Sequence, residues 1–282
     1  MEFSILPARL QNRFPQTAYD QWMTPQGEIL AEFYRNNAGF LVRFPERGDF
    51  EIDALSHSVR CWPSPGIDEA HVRSIFDNSI VPALGNHRGG LFLHGSAVGI
   101  NGHGAAFLGH SRSGKTTLAS AFAKQGFAML TQDVIELDVS TAQYRVRPNT
   151  SPVRLFADSA AFVLGHPTSS EDDGVKVSLQ PTGQLRFATA DTPLLAIFIL
   201  GADFSSDLAI HRLDQKGALA AVLPHSFVLD VEDKARLNSH FNRLADLTQR
   251  VPCFTLDYER HYAKLPDVIA TVSDSFARLE DQ

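Results

Sequence analysis

The stretch Gly109-His110-Ser111-Arg112-Ser113-Gly114-Lys115-Thr116 fits the pattern G-x-x-x-x-G-K-[ST] of a phosphate-binding loop. Successive backbone N–H groups in such a loop turn inward and cradle phosphate oxygens. In such a loop Lys115 would reach the β- and γ-phosphates, and the Thr116 hydroxyl would bind the Mg²⁺ that bridges them. The flanks supply the context that the pattern requires. Gly104-Ala105-Ala106-Phe107-Leu108 is a short apolar run of the kind that forms a buried strand. Residues 116–124 carry Leu118, Ala119, Ala121, Phe122 and Ala123, a helical pattern that Gly126 stops. The helix then aims its positive N-terminal end at the same anion.

Composition bounds the rest. The chain has 282 residues, 44% of them hydrophobic and 20% charged, which excludes global disorder and allows one large core or a core with a smaller domain. A net charge of -7 provides no general positive field for a nucleic-acid backbone. No apolar stretch reaches membrane-spanning length and the N-terminus does not read as a signal peptide, so the expectation is a cytoplasmic protein with no membrane partner. Cys61 and Cys253 form neither a metal pair nor a disulfide framework, and both are expected to be reduced and packed. The histidines show no HxxxH or HxH spacing, which argues against a histidine metal centre.

Texture changes near residue 90. Residues 28–34, 39–44 and 50–55 read as strands separated by turns at 36–37 and 46–49, and Asp68 caps a helix expected to run to Leu84. The domains expected are therefore a small β-rich part over 1–89 and a P-loop domain over 90–282. In the second, strands are expected at 91–98, 127–130, 134–138, 144–147, 194–200 and 253–256. Helices are expected at 151–164, opened by Ser151-Pro152 as N-cap and N1, and at 214–223, 230–250 and 266–279.

Three blocks together resemble a known family. Leu93-His94-Gly95, the loop from Gly109 to Thr116, and the segment Gly126-Phe127-Ala128-Met129-Leu130-Thr131-Gln132-Asp133-Val134-Ile135-Glu136-Leu137 are similar to the strand, P-loop and Asp-Asp segment of the bacterial HPr kinase/phosphorylase catalytic domain. The small kinases of lasso-peptide gene clusters look most alike, with a β-rich N-terminal part, an apolar late strand and a final strand and helix. The resemblance implies an α/β fold: a P-loop mixed sheet of the HPr kinase C-terminal type with flanking helices, behind a small β-rich domain. It implies ATP and Mg²⁺ as cofactors. It places catalysis on His94, Lys115, Gln132 and Asp133, nucleotide binding on Gly109, Ser111, Arg112, Ser113, Gly114, Lys115, Thr116 and Thr117, and the metal on Thr116 and Asp133.

The departures matter as much. The first aspartate of the family's pair, its catalytic base, is Gln132 here, and a glycine of the family's loop is Arg112. Arg112 reads equally as a phosphate contact or a solvent-facing side chain. Glu136 reads first as an exposed strand carboxylate, Arg154 as a surface or phosphate-contacting residue on a helix, and Lys176, beyond the acidic run 171–173, first as a solvated loop residue and second as a phosphate contact. The expected function is an ATP-dependent kinase for a hydroxyl of a precursor peptide, its C-terminal serine first. The alternatives are a non-catalytic nucleotide-binding regulator, or a kinase for a carrier protein or small metabolite. Oligomeric state stays open, a homo-oligomer included.

Overall fold

A computed structural model gives the fold and describes residues 1–24, 26–37, 39–140, 143–149, 153–165, 176–179 and 185–280. The chain divides into two compact units. One comprises Met1–His87 with Val228–Asn238, and the other Arg88–Phe227 with Ser239–Gln282.

The first unit is built on a sheet of strands β1 (Phe3–Ile5), β2 (Asp20–Met23), β3 (Ile29–Asn36), β4 (Gly39–Phe44), β5 (Gly48–Asp53) and β6 (Val59–Pro63), in the order β1-β6-β5-β4-β3-β2. All neighbours are antiparallel except β1 with β6. Helix α1 (Glu69–Ile75) starts where Asp68 accepts a hydrogen bond from the His71 N–H at 2.7 Å, and continues through a π-helical turn into α2 (Val81–His87). Phe33, Phe50, Ile52, Ile80 and Leu84 fill the core. The strands expected at 28–34, 39–44 and 50–55 are β3, β4 and β5. The turn expected at 46–49 ends earlier, because Asp49 joins β5 and forks onto Arg43, its register partner, at 2.8 and 2.9 Å. Side-chain hydrogen bonds tie the segment Val228–Asn238 to the rest of this unit, and Arg236 donates to the His87 carbonyl at 2.8 Å. Tyr19 donates to the Leu229 carbonyl at 2.6 Å, and Arg35 donates to both Asp230 oxygens at 2.6 and 2.7 Å.

The second unit holds β7 (Leu91–Ile100), β8 (His103–Leu108), α3 (Lys115–Lys124), β9 (Ala128–Thr131), β10 (Val134–Asp138), β11 (Arg145–Arg147), β12 (Val153–Phe156), α4 (Ala157–Leu164), β13 (Lys176–Leu179), β14 (Thr192–Leu200), β15 (Ala209–Arg212), α5 (Gln215–Val222), most of α6 (Lys234–Arg250), β16 (Cys253–Asp257) and α7 (Leu265–Glu280). Its main sheet runs β11-β10-β7-β8-β14-β16-β15. Strand β9 shares an edge of β7 with β10, and β11 also meets β14. Strands β8, β14 and β16 are parallel and the remaining pairings in this sheet are antiparallel, so it is a mixed α/β sheet. Each parallel strand sends side chains into both flanking cores, as strands joined by crossover connections do. Phe107 and Phe198 join α3 and α7 in one core, while Ala106, Leu108 and Ile197 join Leu244 and Leu247 of α6 in the other.

Two expected helices are corrected. Residues 153–156, assigned to a helix opened at 151, form strand β12, whose antiparallel partner β13 comes from 176–179. The cap signal at Ser151-Pro152 and the acidic run 171–173 lie outside the described residues, and Arg154 belongs to a strand. Helix α6 starts at Lys234 rather than 230, because Asp230 accepts hydrogen bonds from the backbone N–H groups of Glu232 and Asp233 and from Arg35. Both cysteines are free and buried, and burial pushes each thiol up to about 12. Among the described residues no helix is long and apolar enough to cross a membrane.

Candidate functional site

The parallel strands β8, β14 and β16 end at Leu108, Leu200 and Asp257. In open α/β sheets the ends of such strands are where ligands bind. The 109–116 loop leaves β8 there and enters α3 at Lys115. Gly109 has φ 156, and a Cβ on it would meet Ser113 Oγ at 2.6 Å, so the loop closes tightly only around glycine. Gly114 has φ 91 and begins the helix without a side-chain cap. The Lys115 ammonium folds back over the loop and donates to the Gly109 and His110 carbonyls at 2.8 Å each. Ser113 Oγ is buried with no hydrogen-bond partner, an orphan donor inside a loop of the type that binds phosphate.

The register of β7 explains where His94 stands. Gly95 pairs with Leu108, the residue before the loop, so His94 lies beside the start of the loop. Gly95 itself admits no side chain: a Cβ would meet Leu108 Cδ2 at 2.5 Å, the Phe107 carbonyl oxygen at 2.7 Å and Ile135 Cδ1 at 2.9 Å. On its other edge, His94 is the register partner of Val134, and the Gly95 N–H donates to the Asp133 carbonyl at 3.1 Å. Gln132 and Asp133 form the turn between β9 and β10. That turn is tight. The Val134 N–H donates to the Gln132 carbonyl at 2.7 Å, the Thr131 hydroxyl donates to the Val134 carbonyl at 2.5 Å, and Asp133 takes φ 61. A left-handed non-glycine residue is a sparsely populated conformation of the kind that collects at functional sites. Gln132 is buried and Asp133 half-buried. Loop, histidine and turn thus converge on one end of one sheet.

The other named residues are placed as follows. Ser111 and Arg112 are exposed, Arg112 has φ 64, and its guanidinium lies 5.6 Å over the Phe156 ring. Thr116 is half-buried at the start of α3. The Thr117 hydroxyl meets Ser159 Oγ at 3.0 Å, in a chain that continues to Tyr262, so it ties α3 to α4. Glu136, expected as an exposed strand carboxylate, is half-buried on β10 and pairs with Arg147 of β11 at 2.6 Å. Lys176 opens β13. No group of three histidine, cysteine or acidic residues among those described is arranged to hold a metal ion.

Two residues were not foreseen. His225, in a short 3₁₀ turn (Leu223–His225), is buried, and its ring centre lies 5.8 Å from that of His110. Its neighbour Ser226 bridges to Leu93, next to His94. Burial pushes the His225 pKa down to about 3, with the charges of Lys115, His94 and His110 acting the same way. Arg260 lies just past β16, and its Nε donates to the Ser113 carbonyl at 3.0 Å. Nothing local in the sequence marks either residue. The signal that finds Arg260 is its position just beyond the end of an apolar strand, where α/β sites gather.

No protein-family model and no curated protein matches the chain. Among solved structures it is similar to the Hpr(Ser) kinase/phosphatase from Coxiella burnetii, with 11% sequence identity and a TM-score of 0.40 over 67% of this chain and 98% of that one.

Proposed function

We propose that this chain is an ATP-dependent phosphotransferase that moves the terminal phosphoryl group of ATP to a hydroxyl of a peptide or small protein. The preferred acceptor is the C-terminal serine of a ribosomal precursor peptide such as a lasso-peptide precursor. The observation that carries the reading is the convergence of His94, Gln132 and Asp133 on the loop that holds Lys115. The acceptor rests on the resemblance of the rest of the chain, its β-rich N-terminal part, late apolar strand and final strand and helix, to the small kinases of lasso-peptide gene clusters.

The residues fit the nucleotide. The glycine-closed loop and the orphan Ser113 hydroxyl suit phosphate oxygens, and Lys115 supplies a buried positive charge. Thr116 and Asp133 would hold the Mg²⁺. Two protein ligands suffice, because Mg²⁺ keeps several waters and takes its remaining oxygens from the phosphates. When bound, MgATP supplies the phosphoryl donor and the cation that neutralises charge during transfer. His94 stands beside the loop and stabilises charge or the acceptor there. Gln132 cannot take a proton at neutral pH, but its side-chain carbonyl can accept a hydrogen bond from the acceptor hydroxyl and orient it. Forward transfer survives this because most of the catalysis is positioning and electrostatics. The missing base costs of order 10²–10⁴ in rate, and phosphorolysis, which must deprotonate phosphate, suffers most.

The test is mass analysis of precursor peptide incubated with MgATP and the protein. Phosphopeptide is expected from the wild type and not from folded Lys115→Ala. Gln132→Asp is expected to keep or raise the forward rate and to open the reverse reaction. The burial of a glutamine at the place of the base favours one second reading, a nucleotide-binding regulator without turnover. Tight ATP binding with no phosphate on any peptide, carrier protein or metabolite offered would select it.

A further inference from the structure

Arg260 makes contacts that bring three strand ends together. Its Nε donates to the Ser113 carbonyl at 3.0 Å, one terminal nitrogen to the Tyr258 carbonyl at 2.7 Å, and the other to the Gly201 carbonyl at 2.9 Å. These carbonyls belong to the loop after β8 and to the chain just beyond β16 and β14. The guanidinium lies 3.7 Å over the Tyr258 ring and 5.4 Å from that of Phe204. Its backbone N–H donates to the Phe204 carbonyl at 2.8 Å, which fixes the stem. All three side-chain acceptors are neutral, and no salt bridge joins Arg260 to a carboxylate among the described residues. An arginine whose fork is spent on main-chain carbonyls is shaped to set backbone direction.

The direction it sets is specific. A trans peptide is planar, and its C=O and N–H point opposite ways. Holding the Ser113 carbonyl outward therefore turns the Gly114 N–H to the side away from Arg260. Gly114, at φ 91, has no side chain to oppose that orientation, and its missing Cβ would lie 3.9 Å from Arg260 Cδ. We propose that Arg260 is a positioning residue of the phosphate site: by anchoring the Ser113 carbonyl to the ends of β14 and β16, it presents the Gly114 N–H to the phosphates of a bound nucleoside polyphosphate. The assignment rests on the nucleotide-binding reading above.

The experiment measures MgATP affinity by titration calorimetry on wild type, Lys115→Ala, Arg260→Gln, Arg260→Lys and Val272→Ala, with melting temperatures taken without nucleotide. Val272 is a core residue of α7, and its variant controls for lost stability alone. Both Arg260 variants are expected to raise the dissociation constant roughly 10-fold or more, the worth of one charge-assisted bond. Lysine does not rescue, because a single ammonium cannot span three separated carbonyls. Val272→Ala is expected to melt earlier and bind normally. In glycine-¹⁵N-labelled wild type, the Gly114 amide resonance is expected to move on addition of MgATP, which tests the proposal even where no Arg260 variant folds. Affinities within twofold of wild type for folded Arg260 variants, while Lys115→Ala loses binding, would overturn this proposal and leave the nucleotide reading intact. An unmoved Gly114 resonance in protein that binds MgATP does the same. A wild type that binds no MgATP overturns both.

Discussion

Asp133 holds φ 61, and that angle decides which substitution can interrogate its charge. Asparagine tolerates the left-handed region as aspartate does, whereas alanine adds backbone strain to the loss of the carboxylate. Asp133→Asn is expected to lose nearly all MgATP-dependent transfer with an unchanged melting temperature, because a hard divalent cation strongly prefers an ionised oxygen ligand. Wild-type Mg²⁺ dependence in that variant would move the metal elsewhere. At this scale the sequence disclosed what is local. Lys115, Thr116 and the glycines around them stand in one unbroken pattern whose chemistry follows from spacing. Arg260 and His225 carry no such pattern. Each reaches the loop only because strand order brings a distant segment beside it, and strand order is written in packing over the whole sheet rather than in neighbouring letters.

Among elements, β7 does the most to assemble the site. It carries β8 on one edge and β9 and β10 on the other, so its backbone spaces His94 from both the loop and the Gln132-Asp133 turn. Gly95 is what permits that spacing, since two of the atoms facing its missing Cβ are within 2.7 Å and one is main chain. Gly95→Ala is expected to cost about 1–3 kcal/mol by overpacking and to depress transfer more than stability, as β7 and β8 part next to the loop. Urea unfolding and rate measurements on the same preparation check this, and a neutral variant would show that the sheet yields there. Strand β8, helix α3 and strand β14 were legible because apolar spacing and glycine stops agree over their full lengths. Strand β12 was not. Val153, Leu155 and Phe156 suit a strand, but the partner that makes one lies at 176–179, beyond a stretch with no periodic pattern, and a nearby Ser-Pro pair advertised a helix start instead.

Over the whole molecule, histidines withdrawn from solvent contribute to the response to acid. Burial pushes His225 down to about 3 and, with Arg243, His240 down to about 4; His87 is lowered as well, by burial and then by Arg236. In the unfolded chain each titrates near its ordinary value, about 6.5. Between that value and the folded one the unfolded state binds more protons, so stability rises with pH. The contribution is whole above about 6.5 and is lost as pH falls toward 4 and below. The urea midpoint is therefore expected to drop steadily from pH 7 to pH 4.5, and His240→Gln is expected to flatten part of that slope; a midpoint constant over the range would contradict the assignment. A different consequence attends the segment Val228–Asn238, which the N-terminal unit gathers in. Ribosomes release chains from the N-terminus forward, and domains tend to fold as they emerge. Here Tyr19 and Arg35 must wait for partners 210 and 195 positions later. The first part made is thus among the last finished, and a nascent chain halted after residue 89 is expected to be cut by protease near β2 and β3 faster than the released protein, with equal resistance as the result that would refute it.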